Sequence, residues 1–361
     1  MPRARLGRVP ELHDLSCVVH VHSTYSDGTG TVPEIARAAE RAGAEVVLLT
    51  DHDSLGARRR GEEGYHGSVL VLVGHEVSPR NRNHMLAFDT PGVIRHAGLS
   101  PAQIAQAVRG AGGLGVAAHP FSEGSRRFSR YRSLGVSMRW DDLECLDGIE
   151  VWSFLSDNGQ TVPSLREALR FIARPERYVT HPPRRNLEEW DRLGARRRVV
   201  GIGGLDAHQF GKRVRGRVIR VMGYERSFRQ LRTHVLTDEP LTGDLEHDSR
   251  QVYTALREGR CYIAAHALAP ARGFHFRASR EGAELAMGAE APAHSGHWHL
   301  HVSLPRPARV RLLHDGRELA RSTGQALVEQ APGPGVYRVE ARLEAFGAER
   351  TWILSNPIYL R

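Results

Sequence analysis

Six histidines and three carboxylates recur along this chain in an order that can build one multi-metal hydrolytic site: His20, His22, Asp27, His52, Glu76, His84, His119, Asp206 and His208. The first group reads Val-His20-Val-His22-Ser, with Asp27 in Tyr-Ser-Asp27-Gly, and the last reads Gly-Gly-Leu-Asp206-Ala-His208. Between them stand Thr-Asp51-His52-Asp53, Gly-His75-Glu76-Val-Ser, Asn-His84-Met-Leu and Ala-Ala-His119-Pro. Imidazole suits Zn, Mn or Fe, and a carboxylate can bridge two ions. The His-x-His spacing predicts both rings on one face of an extended strand, because side-chain direction alternates with period two. Asp206 and His208 repeat that spacing. The whole set, rather than either pair, carries the reading. Clustered metals lower the pKa of a bridging water and polarise a substrate oxygen, so a metal-bridged hydroxide is the expected nucleophile.

Most of these residues fall at the ends of short apolar runs, and those runs alternate with helical segments. Strands are expected at Leu15 to Val21, Val46 to Leu49, Val69 to Val73, Leu114 to Ala118, Ile149 to Trp152 and Val199 to Ile202, with Met85 to Phe88 as a short antiparallel partner. Thr31-Val-Pro33-Glu34 opens a helix whose apolar face is Ile35, Ala38, Ala39 and Ala42 and which Gly43 ends. Ser100-Pro101 opens a second helix, running through Val108. This order argues for a parallel α/β sheet closed into a barrel, with chemistry at the carboxyl ends of its strands. Residues from about 121 to 148 are polar and arginine-rich and are expected to form an excursion or lid. From about residue 270 to 361 apolar and polar residues alternate between Pro/Gly turns, which predicts a small all-β sandwich-like domain after a barrel domain of residues 1–269.

Composition narrows the class. Apolar content of 40% and charged content of 25% suit a globular enzyme. No apolar leader and no run of membrane-spanning length is visible, so a cytoplasmic location and no membrane partner are expected. Three scattered cysteines suggest neither a disulfide framework nor thiolate ligation. The net charge of +9 comes almost wholly from arginine, Lys212 being the one lysine. It favours acidic or phosphorylated small molecules in general terms; nucleic acid is a weaker expectation.

With these residues in view, the chain resembles the PHP (polymerase and histidinol phosphatase) superfamily. His20-Val-His22, Asp27, Asp51-His52, Glu76, His84, His119 and Asp206-Ala-His208 stand in that family's order, over about residues 18 to 208. The resemblance implies a distorted (β/α)7 barrel with a trinuclear centre of Mn, Fe or Zn, hence two or three divalent ions. It implies one metal on His20, His22, Glu76 and Asp206, a second on Glu76, His84 and His119, and a third on Asp27, His52 and His208. Asp27 stands where some members carry histidine. Later segments are similar to the CehA/McbA-type metallohydrolases: Trp190-Asp191, Gly201 to His208, Arg232-Thr-His-Val-Leu, Ala255 to Arg260 and Trp352 to Tyr359. That subgroup is named for a carbamate-ester hydrolysis, whereas the superfamily more often hydrolyses phosphoesters.

The expectation is therefore a metal-dependent phosphoesterase for a small-molecule or nucleotide phosphoester. A carbamate or carboxylic-ester hydrolase is the alternative, and a nuclease a more distant one. His181 is a possible proton donor, set against a structural loop role. Arg126 and Arg127, with Arg130, Arg132 and Lys212, could bind phosphate, set against plain surface. His75 is expected to point away from Glu76. Asp51 is expected to orient a ligand histidine and Asp53 to cap a helix. His297, His299 and His301 are expected to form an exposed stripe opposite a buried Trp298, Leu300 and Val302.

Overall fold

The computed structural model describes residues 12–361 except 81, 124–139, 141–142, 160–163, 210, 215–216, 221 and 293–296. The chain is mixed α/β, and its helices start and stop where local chemistry allows. Over Val32–Ala42 the Glu34 carboxylate accepts from Thr31 N at 2.9 Å, and Gly43 ends the helix at φ 75°, a left-handed conformation that suits glycine. Over Pro101–Gly110, Ser100 Oγ accepts from Gln103 N, and Gln103 Oε1 accepts from Ser100 N at 2.9 Å. Asp53 caps nothing: its oxygens take Ser78 N at 3.1 Å and face His96 Nε2 at 3.2 Å, because the short helix Gly56–Arg59 begins after Leu55.

Strand His13–Val21 organises the sheets. It pairs in parallel with Val46–Leu49, which pairs in parallel with Val69–Val73. Beyond those strands Gly74 N donates to Leu49 O and Glu76 N to Asp51 O, so the pairing continues into His75–Val77. From there a second sheet runs through Met85–Phe88, antiparallel to both its neighbours, then Leu114–Ala117, Gly148–Ser153 and Val200–Gly204. Leu205 N donates to Val19 O and Ala207 N to His20 O, which returns the chain to the first strand.

One core draws alternate residues from these strands: Cys17 and Val19, Val46 and Leu48, Leu70 and Leu72, Leu86 and Phe88, Leu114 and Val116, Val200 and Ile202. The intervening residues Val47, Leu49, Val71, Val73, Ala87 and Ile149 face a separate core that includes Ile35, Ala39, Ile104 and Val108 of the two helices. In Val46–Leu49, Val69–Val73, Met85–Phe88 and Leu114–Ala117 both faces are therefore apolar, which is why these runs are continuous rather than alternating.

The C-terminal strands differ from a free-standing sandwich. The beginning of His13–Val21 pairs antiparallel with Arg232–Thr237, which leads through Cys261–Ala264 into Ala348–Ser355. Strands Gly335–Ala345, His299–His314 and His275–Arg280 follow in the same hydrogen-bonded sheet. They enclose a third core of Phe276, Trp298, Leu300, Val310, Tyr337 and Trp352. His301 Nε2 meets Ser279 Oγ and His297 Nδ1 meets Gln330 Nε2, while Trp298, Leu300 and Val302 are buried, so the stripe is divided as expected.

Two sets of contacts tie the C-terminal strands to the rest. Arg338, buried, donates to both Asp191 oxygens at 2.6 and 2.7 Å and to Glu340 at 2.9 Å. Asn356 accepts from Gly201 N at 2.8 Å through Oδ1, and its Nδ2 donates to Gly201 O and Cys261 O. Tyr359 Oη accepts from Val199 N at 3.1 Å. Trp190 Nε1 donates to Val199 O, and its ring lies where a Cβ on Gly201 would stand, 2.3 Å from Cζ2. Glycine at 201 is thus a close-approach requirement.

Candidate metal centre

The nine residues named from the sequence converge. Ligand atoms of His22, Asp27, His52 and His208 lie within 4.8 Å of one another, as do those of His20, His22 and Asp206, of His20, Glu76 and His119, and of His52, Glu76 and His84. Glu76 is the hub. Its Oε1 faces His84 Nδ1 at 2.8 Å and His119 Nε2 at 3.3 Å, and its Oε2 faces His20 Nε2 and His22 Nε2 at 3.4 Å and His52 Nδ1 at 3.1 Å. Asp206 Oδ1 lies 3.4 Å from both His20 Nε2 and His22 Nε2. Asp27 Oδ1 lies 3.1 Å from His208 Nε2 and 3.7 Å from His52 Nε2. Relative to the grouping implied by the resemblance, His20 also stands with His119, and His52 stands with both Asp27 and Glu76.

Simple strand alternation does not deliver His20. That residue sits at φ 64° where the pairing of His13–Val21 with its neighbour shifts between Val19 and Val21. Val18 and Val21, three positions apart, consequently share one core while Cys17 and Val19 share the other. His119 and Asp206 also have positive φ, at 29° and 52°. Left-handed backbone is uncommon outside glycine, and here three such residues turn their side chains into one cluster.

The surroundings hold this geometry. Glu150, fully buried, faces His20 Nδ1 at 3.0 Å with Oε1 and accepts from His119 N at 2.6 Å with Oε2. Gly204 leaves the room: a Cβ there would stand 1.8 Å from Glu150 Oε1. Ser78 Oγ donates to Glu76 O at 2.9 Å, leaving its lone pairs for His52 Nδ1 at 2.7 Å. Ser156 Oγ donates to Asp206 Oδ2. Asp51 accepts from Ser23 N, Ser23 Oγ and Ser26 Oγ at 2.6 to 2.7 Å, so it fixes the loop carrying Asp27 rather than a ligand histidine. Tyr224 Oη bonds to the carbonyls of His22 and His208 at 2.7 and 3.1 Å. Glu150 had a signal in the sequence, a lone charge in Gly-Ile-Glu-Val-Trp-Ser; Ser78, Ser156 and Tyr224 had none.

A cation is the partner this donor set fits. Both ring nitrogens of His22 and Nδ1 of His119 are buried without a hydrogen-bond partner, an arrangement folded proteins avoid unless something else takes the lone pairs. Burial, reinforced by the charge on His208, pushes His22 down to about 3, so the ring stays neutral and keeps one nitrogen lone pair available. Burial would raise Asp27, but its hydrogen bond to His208 and that ring's charge outweigh it and hold the carboxyl at about 2. Burial likewise opposes the ionised Glu76 and Asp206, and the surrounding imidazoles hold both well below the usual carboxylate range. The side chains of Asp27 and His52 are 46% and 29% exposed against 0% for His20, His22 and Glu76, so the cluster opens to solvent at Asp27 and His52.

Glu150→Gln is expected to weaken divalent-metal binding about 10- to 100-fold, as loss of a ligand-orienting carboxylate does. The amide places an N–H against one of two donors, and competition with a metal-buffering chelator measures the change. Asp157, in the helix Phe154–Gly159, gives a pH-dependent test. Burial, opposed by the bond from Ser153 N and reinforced by the charge of Glu150, raises it to about 8. From about pH 4 to pH 8 the unfolded state has lost a proton that the folded state keeps, so this group lowers stability as pH rises. In chelator-treated protein Asp157→Asn should raise Tm at pH 8 and leave it unchanged at pH 4; an equal shift at both would refute the assignment.

The remaining sequence expectations fall elsewhere. His75 points away as expected: its Nε2 accepts from Ile94 N at 3.0 Å, and burial lowers the ring to about 4. His181 Nδ1 meets Thr351 Oγ1 at 2.8 Å, on the strand Ala348–Ser355 rather than among the nine. Arg126, Arg127, Arg130 and Arg132, with most of the 121–148 excursion, lie outside the described residues. Its buried Trp140 donates from Nε1 to His84 O at 2.8 Å. Lys212 belongs to a strand, Gly211–Val214, that pairs with Arg217–Arg220 just past His208.

No family model matches the chain. It is 29% identical over 154 residues to an uncharacterized protein of Methanocaldococcus jannaschii, covering 39% of this chain and 83% of that one. Among solved structures it is similar to a two-domain protein of Bacteroides vulgatus containing a predicted PHP-like metal-dependent phosphoesterase. That match has 14% identity, 99% coverage of both chains and a TM-score of 0.44. It is also similar to a candidate metal-dependent phosphoesterase of Bifidobacterium adolescentis, at 19% identity over 56% of this chain and 88% of that one, TM-score 0.32. A third is an amidohydrolase of Chromobacterium violaceum with bound sulfate and no metal, at 19% identity over 53% and 87%, TM-score 0.29. No described helix is long and apolar enough to cross a membrane.

Proposed function

We propose that this chain is a PHP-type metal-dependent hydrolase that cleaves a small-molecule or nucleotide phosphoester. The observation that carries the reading is Glu76, whose two oxygens face five imidazoles from four separate segments of the chain. In this reading His20, His22, Asp27, His52, Glu76, His84, His119, Asp206 and His208 hold two or three divalent ions of Mn, Fe or Zn, at the mouth of a distorted seven-stranded barrel spanning about residues 1–269. Residues 270–361 are taken as a C-terminal β-sandwich-like domain whose strands continue the first sheet. When bound, such ions lower the pKa of water and neutralise the charge of the ester undergoing attack. The chain's own residues keep the ligands in place: Glu150 fixes His20, Ser156 fixes Asp206, and Ser78 fixes His52. Exposure at Asp27 and His52 supports substrate approach from that side. Arginines 126 and 127 and Lys212 are proposed to orient the phosphate.

A carbamate or carboxylic ester is the second reading, since the same ligand set suits either chemistry. Release of nitrophenolate from a phosphomonoester, a phosphodiester and a carboxylic ester decides between them. Protein loaded with Mn or Zn is run beside His52→Ala. Phosphoester turnover that needs metal and disappears in the variant supports the proposal; carboxylic-ester turnover alone overturns it.

A further inference from the structure

Behind the loops that carry His22, Asp27 and His208 lies a cavity of about 530 Å³ that the metal centre does not use. Its walls come from the helix Val32–Ala42 and from residues 223–229, and its floor includes Gln209 and Tyr224. Four arginines line it, Arg37, Arg41, Arg226 and Arg229, against two carboxylates, Glu34 and Glu225. Glu225 is spent on two of the four: Arg41 Nε donates to its Oε2 at 2.7 Å, and Arg229 donates to its Oε1 at 2.9 Å. Arg229 also reaches Arg41 O at 3.0 Å, so this pair is cross-tied between the two walls. Arg226 donates to the carbonyl of Ala173 and forms no ion pair among the described residues, and neither does Arg37. All four arginines are solvent-exposed, and Glu34, which bonds to Thr31 N, shares the site with Arg37, so what sets this patch apart is a concave arrangement of four guanidinium groups against two carboxylates. Guanidinium presents paired donors that match the oxygens of a tetrahedral anion.

We infer that this cavity binds a small phosphate-bearing anion, with Arg37 and Arg226 as its charge partners and the Arg41–Glu225–Arg229 tie as its frame. Its volume accommodates more than a bare ion, since cavities of several hundred Å³ hold small organic ligands. The site is distinct from the metal centre but adjoins it. Tyr224, whose ring lines the cavity, directs its hydroxyl to the carbonyls of His22 and His208. Gln209 Nε2 donates to Thr29 Oγ1 at 3.2 Å, in the loop that follows Asp27.

Calorimetric titration of the full chain with inorganic phosphate, and separately with glycerol 3-phosphate, tests the inference without reference to activity. One anion per chain is expected at this cavity, in addition to any held at the metal centre. Asp206→Asn, which cripples the metal centre, should retain it. Arg37→Ala/Arg226→Ala should weaken binding at least tenfold, and raising NaCl should weaken it further. Arg37→Glu alone, on an exposed helix position, serves as the second variant should the double one fold poorly. Tighter binding of the ester identifies a small-molecule phosphate as the ligand, and equal binding identifies the free ion. Absence of binding in the wild type, or binding lost in Asp206→Asn and unchanged in the arginine variants, overturns the site.

Discussion

Glu76→Gln is expected to release at least one equivalent of divalent metal per chain and to lower esterase turnover about 1000-fold, or about 4 kcal/mol of barrier. The substitution keeps the shape of the side chain and changes only its charge and one acceptor. One oxygen of Glu76 serves His84 and His119 and the other serves His20, His22 and His52, so an amide N–H in either place confronts imidazole nitrogens that converge on it. No orientation of the amide restores both sides. Elemental analysis of the purified variant reads the first effect and nitrophenyl-ester kinetics the second. His75→Gln is the matched control. It alters the neighbouring residue, whose ring accepts from Ile94 N on the other side of the strand, and should leave metal content unchanged. Full metal content in Glu76→Gln would remove that residue from the centre.

Arg338→Met should destabilise the protein by about 3 kcal/mol, read as a lowered midpoint of denaturant unfolding. Removing one member of a buried ion pair leaves an uncompensated charge, and here that charge is Asp191, which loses a two-point contact. Glu340 suffers less, because Arg311 and Arg342 also reach it at 2.9 and 3.1 Å. The loss therefore falls toward the lower end of the range for broken buried pairs. Arg338→Met/Asp191→Leu should recover much of it, since replacing both partners with apolar groups removes the unpaired charge. An unchanged midpoint in the single variant would show that the contact contributes no net stability.

The clustering of these nine residues was legible in the sequence because histidines and carboxylates after apolar runs are rare enough to be informative, and the structure brings all nine side chains together. How they converge was not legible. Period-two alternation places His20 and His22 correctly on one cluster for an incomplete reason, since His20 reaches it from a shifted register at positive φ. Such a shift depends on which strand lies alongside, and residues 205–207 arrive there from nearly two hundred positions away. Asp53 followed the same pattern: its local sequence suits a cap, but Ser78 N and His96 compete for its oxygens through tertiary contacts. The C-terminal strands were readable from alternation, whereas their continuity with the first sheet through Cys261–Ala264 was not, because one strand's sequence does not say which edge it will join.

The brace on strand Val200–Gly204 sets an order of events during synthesis. Gly201 has both its N–H and its C=O satisfied by Asn356, and Val199 N by Tyr359, residues made about 155 positions later. Until they emerge, the strand that delivers Asp206 and His208 has buried backbone groups without partners. A ribosome-bound chain that already contains all nine candidate ligands thus lacks the scaffold that aligns the last two. In the proposed reading, metal loading would follow completion of these β-strands, which supply none of the nine residues.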